Sequence, residues 1–111
     1  MAIVKSIPVQ RIIHGETIHG SESSIVSERT YKTNGEYAIV VKSVDSCDLI
    51  LDSSNTDHVV VKALTNVNII PSIGKIDEEY DNVLLQKGAC VEFKFILHNW
   101  YILSSDGLKG I

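Results

Sequence analysis

Cysteine, tryptophan, methionine and alanine are all scarce in this chain of 111 residues, at two, one, one and four. Two cysteines, Cys47 and Cys90, are too few for the disulfide framework that staples small secreted domains, and too few to lead a four-ligand zinc site. Both lie in apolar, strand-like runs and read as small buried hydrophobes in the thiol form. Runs of Lys or Arg are missing, and the net charge is −4 with a pI near 5.4. A nucleic-acid surface is built on basic patches, so no nucleic-acid partner is expected. No apolar stretch approaches the roughly 20 residues of a membrane helix. The start, Met1 to Gln10, lacks the long apolar run and small-residue cleavage site of a signal peptide. Neither a membrane partner nor export by the general secretory route is therefore expected.

Catalytic signatures are missing too. No serine sits in a Gly-x-Ser-x-Gly elbow, and no glycine-rich loop is present to cradle phosphate. Gly88-Ala89-Cys90-Val91 opens a strand and is not a nucleophilic cysteine motif. Asp77, Glu78 and Glu79 could pair as glycosidase carboxylates, but no substrate-shaping aromatics surround them, and they read as a solvated acidic loop. His14 and His19 are five apart, which suits neither one strand face nor one helical turn. His58 and His98 begin or end strand runs, and no Glu-plus-His motif accompanies them. A histidine ring on a three-fold axis would need no motif, but no metal, cofactor or enzymatic activity is expected.

What is abundant is β-branched: 15 Ile and 12 Val. Such side chains lose rotamer freedom in helices and pack well on pleated sheets. Length and composition together indicate one globular all-β domain. A domain this small, this rich in aliphatics, has more apolar surface than one copy readily hides, which favours self-association.

Beyond Asn34-Gly35 the apolar runs recur every 8–12 residues or so, the spacing of sandwiches, barrels or β-solenoids. Strands are expected at Tyr37–Lys42, Cys47–Asp52, His58–Leu64 and Val67–Ile70, the last stopped by Pro71. Within the second, Cys47, Leu49 and Leu51 share one face. Ile76 to Asn82 reads as a loop, with a single helical turn as the alternative. Val83–Leu85 forms a short strand, followed by Lys87-Gly88, where glycine can take a positive φ. Val91, Phe93, Phe95 and Leu97 then alternate with Glu92, Lys94 and Ile96, and Trp100 and Ile102 with Tyr101 and Leu103. This predicts an antiparallel hairpin turning at His98-Asn99, with Trp100 in the core and Tyr101 facing solvent or a second subunit.

Residues 1–33 are different. Aliphatic pairs (Ile3-Val4, Ile12-Ile13, Ile25-Val26) are scattered among polar residues, with a weak echo between Ile13-His14-Gly15 and Ile18-His19-Gly20. This segment reads equally as an arm docking on a neighbour or as an N-terminal hairpin of the same domain. The expected organisation is an attachment segment at 1–33 and a compact antiparallel β-sandwich or barrel-like domain at 34–111.

One further pattern lies in the second half of the chain. Val59-Val60-Val61-Lys62-Ala63-Leu64 and Val67-Asn68-Ile69-Ile70-Pro71 are followed by Gly74-Lys75-Ile76-Asp77. Then come Leu84-Leu85-Gln86-Lys87-Gly88-Ala89-Cys90-Val91 and Asn99-Trp100-Tyr101-Ile102-Leu103-Ser104. In this order they resemble a recurring module of tailed-bacteriophage virion proteins, found in fibre, head-fibre and decoration proteins. The likeness covers a little under half the chain, Val59 to Gly107. It implies a non-enzymatic homotrimer made in the host cytoplasm and carried on the virion, most simply on the capsid exterior. The N-terminal segment would attach it to the major capsid protein or another virion protein. The compact size fits a decoration (cement) protein or the base of a head fibre. The alternative is a tail-fibre tip that binds a receptor or a host-surface glycan. Oligomer or partner contacts are expected at Ile12, Ile13, Ile18 and Ile25, and at Tyr101.

Overall fold

The structure, a computed structural model, describes residues 18–19 and 23–106. Period-2 alternation builds its strands. In β5 (Ser46–Leu51), Cys47, Leu49 and Leu51 point inward while Ser46 and Asp48 face solvent. The same inward–outward rhythm runs through β2 (Ser23–Val26), β4 (Ala38–Val41), β6 (His58–Ala63) and β7 (Asn66–Pro71). The remaining strands are β1 (Ile18–His19), β3 (Thr30–Lys32), β8 (Val83–Leu85), β9 (Cys90–Ile96) and β10 (Asn99–Asp106). The described residues form no helix.

Two sheets face each other across the core. Sheet A has the order β1-β2-β4-β6-β9-β10, and sheet B the order β3-β5-β7-β8. From β2 to β7, successive strands therefore alternate between the sheets. Those in the middle pair in parallel: β2 with β4 and β4 with β6 in one sheet, β3 with β5 and β5 with β7 in the other. The chain winds through three stacked coils, β2–β3, β4–β5 and β6–β7. Then it reverses, and β8 and β9 return antiparallel to β7 and β6.

The all-β expectation holds, but the purely antiparallel arrangement does not: both sheets are mixed. The cause is what the polar turns do. Ser53 to Asp57, for instance, is held by the Asp52 carboxylate, whose Oδ1 accepts from the Ser54 amide (3.1 Å) and hydroxyl (2.6 Å). This Asx-type turn sends the chain from sheet B across to sheet A rather than back beside its own strand. Asn34-Gly35 lies at another such corner, between β3 and β4. Strands β2 and β3, which precede it, make the first coil of the same stack.

The core is aliphatic, with Ile39, Val41, Leu49, Val61, Ile69 and Phe93 among its fully buried members. Trp100 joins them at 0% exposure, packed against Phe95 at a centroid distance of 5.3 Å. Its indole N–H has no hydrogen-bond partner among the described residues, so packing alone holds the ring. Cys47 is buried and Cys90 half-buried, both as free thiols. Burial pushes the Cys47 thiol up to about 11.

The loop between β7 and β8 closes the end of the stack formed by the last strands. Ile76 is fully buried, and it bridges both Tyr80 and Trp100. The Trp100 amide donates to the Lys75 carbonyl (2.9 Å) and the Asp77 amide to the Trp100 carbonyl (2.8 Å). Asp77 and Glu78 take left-handed φ of 54° and 62°, which makes this acidic stretch a tight loop rather than a helical turn.

The final hairpin turns one residue earlier than its alternation predicts. Asn99 pairs with Ile96 and Trp100 with Phe95, so the turn is Leu97-His98. Leu97 leaves the inward face for a φ of 59° and is 82% exposed. A leucine gains nothing there and carries the cost of the left-handed region, about 1–2 kcal/mol. We expect Leu97→Gly or Leu97→Asn to stabilise the fold by about 1 kcal/mol, read as a higher urea midpoint at unchanged slope. Further along, a register shift between Ile102 and Ser104 makes Leu103 a bulge residue and turns Ser104 to the outer face beside Glu92.

Candidate functional site

With the inner faces filled, chemistry-bearing groups gather on the outer face of sheet A. Strand register sets them in rows. His58, Lys94 and Tyr101 stand side by side on β6, β9 and β10, and Val60, Glu92 and Ser104 make the next row. His58 Nε2 is hydrogen-bonded to Glu92 Oε2, and the Ser104 hydroxyl donates to Glu92 Oε1 at 3.0 Å. The hydrogen bond from His58, followed by that from Ser104, holds the Glu92 carboxyl below its ordinary range. Tyr37, at the corner before β4, meets the His58 ring edge-on at 5.2 Å. Lys94 pairs with Asp57 at 3.3 Å.

Serine, glutamate and histidine are together here, but in the wrong order for nucleophilic catalysis. An activated serine needs its hydroxyl on the base, with the carboxylate behind. In this site Ser104 and His58 both bond to Glu92, which ties three strands together across the sheet. The acidic loop is used in the same structural way. Asp77 Oδ1 accepts the Ile102 amide at 3.0 Å, and Glu78 Oε2 accepts the Tyr101 hydroxyl at 2.7 Å. The bond to Glu78 raises the Tyr101 pKa. Asp77 and Glu78 thus each bond to a neighbouring group on β10. Among the described residues no group of three or more His, Cys, Asp or Glu is placed to hold a metal ion.

The predicted contact residues fall as follows. Ile25 lies on the outer face of sheet A, level with Val40 of β4. Tyr101 lies on the same face, four strands away, or roughly 19 Å across the sheet at about 4.8 Å per strand. The backbone of Ile18 pairs with Ile25. Ile12 and Ile13 lie outside the described residues. The Trp100–Tyr101 pair does not act as one aromatic platform, because Trp100 is buried and only Tyr101 reaches the surface.

A second polar cluster, at the first coil, had no sequence signal. Glu36 is 5% exposed. Its Oε2 accepts hydrogen bonds from the Tyr31 hydroxyl and the Ser24 hydroxyl (2.9 Å), and its Oε1 accepts the Asn34 amide (2.7 Å). Burial pulls its pKa upward, but the bonds from Tyr31, from backbone amides and from Ser24 outweigh it and leave the group below the ordinary range. Burial, together with the bond to Glu36 and its charge, drives Tyr31 upward. An isolated glutamate between a glycine and a tyrosine gives no hint of this role. Only the fold brings Ser24 and Tyr31 to it.

Comparison with protein-family models, with curated proteins and with solved structures finds no match for this chain.

Proposed function

We propose that this chain is a non-enzymatic structural protein of a tailed-bacteriophage virion, most simply a trimeric decoration (cement) protein or head-fibre base on the capsid exterior. One observation carries the reading. The residues that resemble the phage module are not scattered: they make up β6, β7, the 74–77 loop, β8–β9 and β10, a contiguous structural unit that closes one end of the stack. Two further features agree with it. The polar groups on the outer face brace strands instead of converging on a substrate. Strand β3, last in sheet B among the described residues, leaves the outward amides and carbonyls of Thr30 and Lys32 free for an added strand. A partner such as the capsid lattice could pair there.

Immunogold electron microscopy of purified particles tests the proposal. The expected result is regular labelling of the capsid surface and saturable rebinding of the purified protein to stripped particles. Absence from particles would overturn it. Tyr101, part-exposed beside Lys94 and His58, supports a second reading, a glycan- or receptor-binding tip. That reading expects a glycan-array signal lost in Tyr101→Ala.

A further inference from the structure

The corner between β3 and β4 needs glycine at position 35. The φ there is 91°, in the left-handed region, although a Cβ would meet only the Asn55 carbonyl oxygen, at an ordinary 3.5 Å. The corner thereby sets an asparagine in front of a residue with no side chain to shield its backbone nitrogen. Asparagine is among the thermolabile residues, and a following glycine leaves its carboxamide open to attack by that nitrogen. Asn-Gly occurs once in the chain, and both residues are exposed. The surrounding bonds nevertheless hold the two reacting groups. The Gly35 amide donates to the Thr56 hydroxyl at 2.6 Å, and Thr56 is only 3% exposed. Thr56 is itself fixed, its amide donating to the Asp52 carbonyl at 3.2 Å. The Asn34 amide donates to Glu36 Oε1 (2.7 Å), and Asn34 Oδ1 accepts from Asn55 Nδ2 (3.3 Å). One residue earlier, the Thr33 hydroxyl oxygen accepts the Asp52 amide at 2.8 Å. The backbone is thus pinned on either side of the Asn34–Gly35 bond.

We propose that Asn34 is a modification site, a succinimide-forming asparagine that the Thr56 hydroxyl holds inactive while the corner is closed. In the step, solvent base takes the Gly35 amide proton, and the nitrogen attacks Asn34 Cγ. The new C–N bond closes the succinimide ring as Nδ2, protonated by water, leaves as ammonia. Water then opens the ring at either carbonyl, giving aspartate or isoaspartate at position 34. The attacking nitrogen must first give up the proton that Thr56 accepts and then swing onto Cγ, and both moves break the Thr56 bond. An intramolecular attack of this kind proceeds only from a near-attack geometry, so a pinned corner slows it. Isoaspartate adds a methylene to the main chain, so the bonds to Glu36 and Thr56 cannot both be kept. A closed corner therefore lasts, whereas an opened one converts irreversibly. The modification marks copies whose first coil has loosened, and it does so whatever the protein assembles with.

Incubation of the full chain at about pH 8, native and in urea, tests the proposal, with mass mapping of the peptide that spans residues 33–36. The unfolded chain should convert Asn34, and the native protein should do so at least about tenfold more slowly. Thr56→Val should speed native conversion at least about fivefold, whereas Thr56→Ser, which keeps the hydroxyl, should not. Hydrogen exchange separates the corner from the fold as a whole. In Thr56→Val the Gly35 amide should exchange faster, while that of Val61, in the middle of sheet A, should not. Three results would overturn the proposal: no conversion of Asn34 in urea, native conversion as fast as in urea, or a Thr56→Val variant whose Gly35 amide exchanges freely while Asn34 converts no faster. So would conversion and Val61 exchange accelerating equally in Thr56→Val, which makes unfolding of the whole domain the gate.

Discussion

Gly74→Ala is expected to destabilise the fold by about 3 kcal/mol, combining the cost of a left-handed φ for a residue with a Cβ and that of overpacking. Gly74 has a φ of 72°, and a Cβ there would overlap the His98 carbonyl oxygen, with the carbonyl carbon at 2.9 Å and Asn99 Oδ1 at 3.0 Å. Two of these atoms are backbone, so no rotamer change relieves the clash. The loop would have to lift off the hairpin. It would lose the bond from the Lys75 amide to Asn99 Oδ1 (2.9 Å) and the bridges that close Ile76 over Trp100. Urea unfolding followed by the single tryptophan reads the effect, as a lower midpoint and a red-shifted native emission. Gly88→Ala is the matched control. Its φ is 101°, but a Cβ there has nothing within 4 Å. It should cost only the backbone strain, about 1–2 kcal/mol. Equal losses in the two variants would show that the Gly74 contact is unimportant.

The second large effect is expected at Glu36. In Glu36→Gln the amide nitrogen brings two donors to a place where Tyr31, Ser24 and the Asn34 amide already donate. The charge-assisted bonds to the carboxylate are lost and the hydroxyls have to reorient around the new amide, at a cost of about 1–3 kcal/mol at pH 7. The pH dependence separates charge from shape. The folded-state pKa of Glu36 lies below its ordinary value, so the carboxylate's contribution is fully present above the unfolded-state pKa, near 4.3. It is lost as the pH falls through the lower folded value. Urea midpoints of wild type and Glu36→Gln should therefore differ most near neutrality and draw together as the pH falls below the ordinary glutamate range. A constant gap down to low pH would mean that the charge does not stabilise the fold.

The sequence made the strands of this protein more legible than their neighbours. Expected and observed limits agree to within about one residue for β5, β6 and β7, and β8 agrees outright, because alternation and polar turns mark both ends. Alternation also placed Trp100 inside. Periodicity assigns a residue to a face, however, and says nothing about which strand lies alongside. Alternate strands here belong to opposite sheets, so a spacing that suits a meander was produced by a winding chain. The unbroken Val59-Val60-Val61 run was the available sign, since a solvent-facing antiparallel strand would have put a polar residue at Val60. The hairpin slipped by one for a different reason. Leu97 continues the apolar alternation, and only its left-handed backbone removes it from the strand. The Glu36 cluster had no local signal, because its donors come from two strands and a corner.

Partner residues in the parallel ladders lie 15 residues apart from Ser23 to Ala38 and 22 from Ala38 to Val60 in one sheet, and 18 from Thr30 to Asp48 and 20 from Asp48 to Asn68 in the other. Each turn thus repeats the strand pair of the one before, with corners of different length, displaced along a common axis by one strand spacing of about 4.8 Å. Duplicating one turn of about 20 residues would lengthen the body by that step while the reversed end and the first coil kept their contacts. The length of the body is then a quantity that in-frame duplication can adjust in single rungs.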